Sequence, residues 1–461
     1  MMKDWEGKNL VIVGAARQGL ALAKYLAKHG AKITVTDQRD KKLLNEVQQD
    51  FQEGNINWVL GGHPIEILDE ADVLSLSGGV PLTIPLVQQA IQREIPLTND
   101  SQVFMDIVPC PVIGITGSAG KTTTTLLVGK MAVDAFGEDH TWVGGNIGNP
   151  LIAVVDQITI DDIAVIELSS FQLELMTSAP KIACILNITP NHLDRHGTMQ
   201  EYARAKARIL DYQSKSDIAV LNREDEGSWT LRGEVKGDLI TFGLEIPDPG
   251  ITGTYLNGEM ISYWDGSSST DLISIESIRL RGKHNLMNAL AACAIASAAG
   301  IPVESMKNGV EALSGVDHRL EYIRTWKEAD WYNDSIATAP ERSIAAINSF
   351  TEPLVLLAGG RDKDLPWNDF SRLVLKRVKY LILFGEAANL IERALQSESE
   401  NGQRAIPYQK CANLKDAVLV AAEIVEPGDV VLLSPGGTSF DEFVNFAERG
   451  DTFRKWIKEL S

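Results

Sequence analysis

Short continuous apolar runs alternate with stretches in which apolar residues recur every three or four positions. Residues 10–13 and 33–36 read as buried strands, and residues 20–29 between them as an amphipathic helix. A second series starts near Asn99, with apolar runs at 111–113, 163–167 and 182–187. From about residue 241 to 280 the pattern breaks into short β-like runs among Gly and Ser turns. An alanine-rich helix then opens after Gly282. A third series starts near Val316, with strands at 354–357, 380–384 and 430–433 whose helix-length separations predict a parallel sheet. The pattern predicts an α/β protein of three domains over 1–98, 99–315 and 316–461, with no internal repeat. The first and last read as Rossmann-like, and the central one as a P-loop ATPase-like α/β domain.

Composition narrows the partners. The formal charge is −19 in 461 residues and the pI is near 4.9, which argues against nucleic acid or an anionic membrane. The apolar run 289–299 is too short to span a bilayer and reads as a buried helix. Asp4 and Glu6 precede a short apolar run ending at Gly14, which does not read as a signal peptide. Cys110, Cys184, Cys293 and Cys411 are widely spaced and read as reduced core residues, not as a zinc site. A cytoplasmic protein is expected.

The sharpest chemistry lies after the 111–113 run, in Gly114-Ile115-Thr116-Gly117-Ser118-Ala119-Gly120-Lys121-Thr122-Thr123. A strand, a glycine-rich turn and a helix N-terminus in that order direct backbone N–H groups and the helix dipole at a phosphate. Lys121 is placed for the β- and γ-phosphates, and the Thr122 hydroxyl for Mg²⁺. The spacing is a variant: glycines lie six and three residues before Gly120, with Ile115 at the usual first-glycine position.

Other candidates carry weaker signals. Gly14-x-Ala16-x-x-Gly19 with Asp37 after the next strand is nearly a dinucleotide fingerprint, and alone would suggest NAD. Glu167 ends a strand, where an acid can hold Mg²⁺ or simply face solvent. His192 follows the next strand, and its residue type alone leaves ligand and structural roles open. Lys206, in a basic helical stretch with Arg204 and Arg208, reads as solvent-exposed. Asn285 and Asn288, one turn apart at a helix start, suit an adenine edge or a cap. Arg319 could reach a triphosphate, and Asn333-Asp334-Ser335 suits a ribose contact or a turn.

Taken in order, the phosphate loop, Gly144-Gly145-Asn146-Ile147-Gly148, Glu167-Leu168-Ser169-Ser170-Phe171-Gln172-Leu173-Glu174, Asn191-His192-Leu193-Asp194-Arg195-His196, His284-Asn285 with Asn288, and His318-Arg319 resemble the Mur ligases. These are ATP-dependent amide-forming enzymes of peptidoglycan precursor synthesis. The Ser-Ser-Phe-Gln-Leu-Glu segment is similar to the D-glutamate-adding members, which are acid–D-amino-acid ligases. The resemblance runs from near residue 10 to the C-terminus.

That resemblance implies roles by position. The substrates would be ATP, UDP-N-acetylmuramoyl-L-alanine and D-glutamate, taken by a cytoplasmic monomer. Arg17, Gln18, Asp37, Gln38, Arg39, Ser77 and Gly78 would hold the UDP group, and Asn146, Ser169 and His192 the muramoyl-alanine arm. Gly117, Ser118, Ala119, Gly120, Lys121, Thr122 and Thr123 would hold triphosphate, Asn285 and Asn288 adenine, and Arg319 and Asp334 phosphate and ribose. Thr122 and Glu167 would bind one Mg²⁺. Lys206, carbamylated, would share a second with His192, since a carbamate supplies the oxygens an ammonium lacks. Catalysis would rest on Lys121, His192 and Lys206. Thr338, Lys363, Ser439 and Phe446 would line the D-glutamate pocket.

Two departures stand out. Ile336 replaces the lysine common after Asn-Asp-Ser, with Arg361 or Lys363 as candidate substitutes, and Ala119 replaces a frequent asparagine. The alternatives are another Mur-type or folylpolyglutamate-type ligase, or a non-catalytic nucleotide-binding relative. A dehydrogenase is more distant.

Overall fold

The computed structural model describes residues 5–41, 44, 56–280, 282–313, 315, 317–363, 365–400 and 405–460. They fall into two compact units: Met1–Ser277 with Met287–Ala312, and Ile278–Leu286 with Leu313–Ser461.

The first unit holds two sheets. One has five parallel strands in the order Ile56–Leu60, Lys32–Asp37, Asn9–Val13, Val73–Leu76, Leu97–Thr98. Alternation along Asn9–Val13 decides its two faces. Leu10 and Ile12 pack with Leu22 and Leu26 of helix Arg17–Lys28, whereas Val11 and Val13 join Leu76 and Val87 on the other side. Strand order reverses between Asn9–Val13 and Val73–Leu76, and ligands of such sheets lie beyond the carboxyl ends there. Gly14 and Ser77 occupy that position, with Ser77 Oγ donating to the Gly14 carbonyl at 3.0 Å.

The second sheet has nine strands, with Val112–Thr116 between Ile163–Glu167 and Ile182–Ile185. The irregular stretch after residue 241 proves to extend this sheet: Thr252–Asn257 adds in parallel to Asp238–Phe242, and Met260–Trp264 and Ser269–Ser274 follow antiparallel. Gly120 (φ 85°) caps helix Lys121–Phe136, which stops at Gly137. Helix Lys283–Ala298 carries the alanine run, and residues 289–296 are fully buried. It is a core helix. Among the described residues no helix is long and apolar enough to cross a membrane.

The second unit contains six strands in the order Glu321–Trp326, Ala329–Asn333, Val430–Gly436, Leu354–Gly359, Val378–Phe384, Tyr408–Lys410. All pairings are parallel except the first. This is the expected α/β architecture. The four cysteines are free thiols, three of them buried.

Candidate active site

Asn187 grips the phosphate loop from outside through three hydrogen bonds. The Asn187 carbonyl accepts from the Ser118 N–H at 2.9 Å, its Oδ1 from the Ala119 N–H at 2.8 Å, and its Nδ2 donates to the Ala119 carbonyl at 3.0 Å. Ser118 Oγ exchanges hydrogen bonds with the backbone of Thr189 and accepts from Tyr202 OH at 3.0 Å. Asn288 packs against the loop. A Cβ on Gly120 would stand 2.3 Å from Asn288 Oδ1, so both the positive φ and this approach require glycine there. Lys121 curls back, donating to the Gly117 carbonyl at 2.8 Å.

At the carboxyl edge of the neighbouring strand, Glu167 is almost fully buried. Its Oε2 accepts from Thr122 Oγ1 at 2.8 Å and its Oε1 from Asn146 Nδ2 at 2.8 Å. A hydroxyl beside a carboxylate is a pair of hard oxygen donors, which fits Mg²⁺. Among the described residues no three His, Cys, Asp or Glu side chains gather as a metal cage. Mg²⁺ normally keeps waters and takes substrate phosphates as its other ligands, so the sparse donor set still fits.

Lys206 corrects the expectation of a solvent-exposed lysine: it is 1% exposed. Helix Met199–Asp211 turns Tyr202, Lys206 and Ile209 inward and leaves Arg204 outside, a division that the run of basic residues obscured. Lys206 Nζ donates to the Gly117 carbonyl at 2.9 Å and lies 4.8 Å from the centre of the Tyr202 ring. Burial, aided by the charge of Lys121 and opposed by Glu167, pushes its pKa down to about 7. His192 adopts a left-handed backbone (φ 52°), a conformation costing a non-glycine residue about 1–3 kcal/mol and common at functional sites. Its ring meets Phe171 edge-on, with centroids 5.2 Å apart.

Gln18, Gly78, Lys121, Asn146, Ser169, His192 and Lys206 all line one cavity of about 380 Å³, with Gly79, Ser170, Phe171 and Tyr202. Its walls come from both sheets of the first unit. Two contacts tie those walls: Arg17 to the Asn146 carbonyl at 3.3 Å, and Arg195 to the Gly79 carbonyl at 2.9 Å. Asp37 is otherwise occupied. It accepts from the Ala15 N–H and from the backbone and guanidinium of Arg39, and these bonds hold its carboxyl well below the usual range. It braces the Gly14 turn. Gln38 beside it is exposed.

In the second unit, Asn285 and Arg319 sit apart in sequence from the Asn333–Thr338 turn, and Arg319 is flanked by His318 (φ 63°) and Leu320 (φ 43°). Asp334 is deeply buried and accepts from Ser434 Oγ at 2.8 Å. Burial raises its pKa to about 7 against the pull of that bond and of Arg319 and Arg342. Thr338 and Lys363 meet at 3.4 Å, whereas Arg361 is engaged by both carboxylate oxygens of Glu386. Phe446 packs edge-on to His318, and its carbonyl accepts from Ser335 Oγ at 2.8 Å. Ser439 follows Thr438 in the loop after Val430–Gly436.

Several residues of consequence were given no role from the sequence. Arg449, fully buried, donates to Ser335 and to the carbonyls of Ser335, Gly437 and Thr438. It thereby ties the Asn-Asp-Ser turn to the Ser439 loop. Gln172 accepts from the N–H and hydroxyl of Ser169 and donates to Ser101 Oγ. His196 lies between Glu174 and Ser170, and burial with the nearby cations of Lys206, His192 and Arg195 holds its imidazole below the usual pKa. Position after a strand would have flagged Asn187; the others needed three-dimensional contacts.

Sequence comparison is consistent along the whole chain. Residues 8–99 match the Mur ligase MurD-like N-terminal domain, 115–296 the Mur ligase middle domain and 318–437 the Mur ligase glutamate ligase domain. The UDP-N-acetylmuramoylalanine--D-glutamate ligase of Symbiobacterium thermophilum is 38% identical over 450 residues, covering 98% of each chain. That of Pelotomaculum thermopropionicum is also 38% identical, covering 100% of this chain and 99% of its own. Among solved structures, MurC of Thermotoga maritima (TM-score 0.58, 16% identity, 98% and 99% coverage) and MurF of Acinetobacter baumannii (0.58, 18%, 99% and 92%) share the fold. By its three matched segments and its full-length relatives, this chain belongs to the Mur ligase family.

Proposed function

We propose that this protein is the ATP-dependent ligase that joins D-glutamate to UDP-N-acetylmuramoyl-L-alanine through an acyl phosphate, in the cytoplasmic stage of peptidoglycan synthesis. The observation that carries the proposal is the single cavity in which Lys121, Lys206, Asn146, Ser169 and His192 meet residues of the first sheet, in a chain 38% identical to D-glutamate ligases over its length. The segments 1–98, 99–315 and 316–461 serve as the UDP-substrate, ATP and amino-acid domains.

The chemistry follows from the residues. The alanyl carboxylate attacks the γ-phosphorus of ATP, and the bond to the β-phosphate oxygen breaks, releasing ADP. Lys121, swinging from the Gly117 carbonyl to the phosphates, offsets the charge that builds on the transferring group. Thr122 and Glu167 would hold Mg²⁺, which would supply further neutralisation of the phosphate oxygens. Lys206, with a pKa near 7, presents the neutral amine that carbamylation by CO₂ needs. The product carbamate and His192 would supply a second Mg²⁺ position. Arg17, Gln18, Gln38, Arg39, Ser77 and Gly78 take the UDP group, with Asp37 setting the loop. Asn285 and Asn288 take adenine, Arg319 and Asp334 phosphate and ribose. Thr338, Lys363, Ser439 and Phe446 take D-glutamate, whose amine attacks the acyl carbon and expels phosphate. The working protein is a monomer.

The test is isotopic. Oxygen-18 in the alanyl carboxylate should appear in released inorganic phosphate when D-glutamate and ATP are present. ADP release across a panel of D- and L-amino acids should single out D-glutamate. Phosphate without label would reject the acyl-phosphate route.

A further inference from the structure

Another cavity lies at the edge of the nine-stranded sheet opposite the phosphate loop. The parallel strands Val112–Thr116, Ile163–Glu167 and Ile182–Ile185 begin there, and Ile113, Ile163 and Ile182 line its floor. Phe136, the last residue of the phosphate-loop helix, forms one wall and is 41% exposed. Ala298 and Ala299, at and just past the end of the alanine-rich helix, form another. The space is about 290 Å³, near the ~300 Å³ at which small-molecule pockets begin. It shares no lining residue with the cavity that holds Lys121 and Lys206.

The charge around this second cavity is one-sided. Two helices end at it, so the negative ends of both dipoles are turned toward it. A base in the last turn is the favoured complement to that end, and neither helix has one. Helix Lys121–Phe136 has Asp134 in its last turn instead, and Glu138 and Asp139 follow in the next. Asp161 and Asp162 line the cavity itself. Asp162 is tied into the protein by the Thr159 N–H, Trp142 Nε1 and the exposed ring of His140, whereas Asp161 is exposed at the rim. Lys181 also lines the cavity, but its ammonium is engaged by Asp217 at 3.1 Å and by Ser216.

We propose that this cavity is a binding site for a small organic cation, an ammonium carried on a compact aromatic or branched apolar body. The apolar body lies on Ile113, Ile163 and Phe136, and the ammonium is held between Asp161 and the two helix ends. The same charges refuse an anion of the same shape. The bordering strands and helix carry Glu167 and Lys121 elsewhere along their length, yet the two cavities are separate, so ATP and the cation bind together.

Phenethylammonium and phenylpropionate are matched probes of opposite charge. In protein labelled at its isoleucine methyl groups, phenethylammonium should shift the resonances of Ile113, Ile163 and Ile182 saturably. Phenylpropionate at the same concentration should leave them in place. Asp161→Asn, a change at an exposed position, should raise the Kd for phenethylammonium about threefold. Ala299→Phe fills the space and, in protein that melts cooperatively, should abolish the shifts. Equal binding of the two probes, no saturable shift, an unchanged Kd in Asp161→Asn, or shifts that persist in folded Ala299→Phe would overturn the proposal. Shifts that arise on concentrating the protein without amine would place a second copy in the cavity and overturn it too. None of these outcomes bears on ligation, which ADP release measures separately.

Discussion

Thr122 Oγ1 donates to Glu167 Oε2 at 2.8 Å, joining the first turn of the phosphate-loop helix to the end of the adjacent strand. Each oxygen of Glu167 accepts from a neutral donor, Oε2 from Thr122 and Oε1 from Asn146. Replacing Glu167 with Gln keeps the size and removes the charge. Turnover should fall about a hundredfold or more, and the Mg²⁺ concentration needed for half-maximal rate should rise. Steady-state rates across a Mg²⁺ titration measure both. An unchanged Mg²⁺ requirement would remove Glu167 from the metal site.

Lys206 gives a pH prediction with a definite sign. Its neutral fraction grows as pH rises through about 7, so reactivation of CO₂-depleted enzyme by bicarbonate should quicken over that interval. Lys206→Ala should be inactive and partly restored by a short carboxylate such as acetate. The same shift affects stability. Between about 7 and the ordinary lysine value the unfolded chain binds the proton that the folded chain lacks, so stability rises with pH there. Thermal melts of Lys206→Met should show a flatter rise.

Asp334 behaves in the opposite sense. Its folded pKa is raised to about 7, so between the ordinary carboxylate value and 7 the folded protein retains a proton that the unfolded chain has lost. Its contribution to stability is therefore complete at low pH and lost as pH climbs through 7. Asp334→Asn preserves an acceptor for Ser434 Oγ and removes the ionisation. Above pH 7 the variant should melt higher than the wild type, while its nucleotide-dependent activity falls. A lower melting temperature at pH 8 would contradict the burial argument.

With Ile336 in place of a lysine and Arg361 paired to Glu386, Lys363 is the basic side chain seen against Thr338. Lys363→Ala should raise the KM for D-glutamate about tenfold or more with a smaller change in the KM for ATP. Initial-rate kinetics with each substrate varied would decide. An unchanged KM for D-glutamate would exclude Lys363 from that pocket.

Much of the architecture was legible from periodicity, because buried parallel strands such as Val112–Thr116 and Leu354–Gly359 are uninterrupted apolar runs. The phosphate loop was legible for a different reason: its glycines and lysine are local in sequence. What escaped was whatever depends on packing between distant segments. Lys206 looked solvated because Arg204 and Arg208 flank it, and only the helix's seating showed which face was inward. Arg449 gave no signal since its partners, Ser335 and the 437–438 backbone, converge from separate strands. Asp37 fitted a fingerprint, yet its hydrogen bonds go to Arg39 beside it and to the Ala15 N–H of the Gly14 turn.

The clasp of Asn187 on Ser118 and Ala119 has a consequence for nucleotide affinity. Because the cradle's shape is set by bonds internal to the protein, an arriving polyphosphate has little chain freedom to quench. Most of the attraction it feels can therefore appear as net binding, with the second substrate and the amino acid still absent.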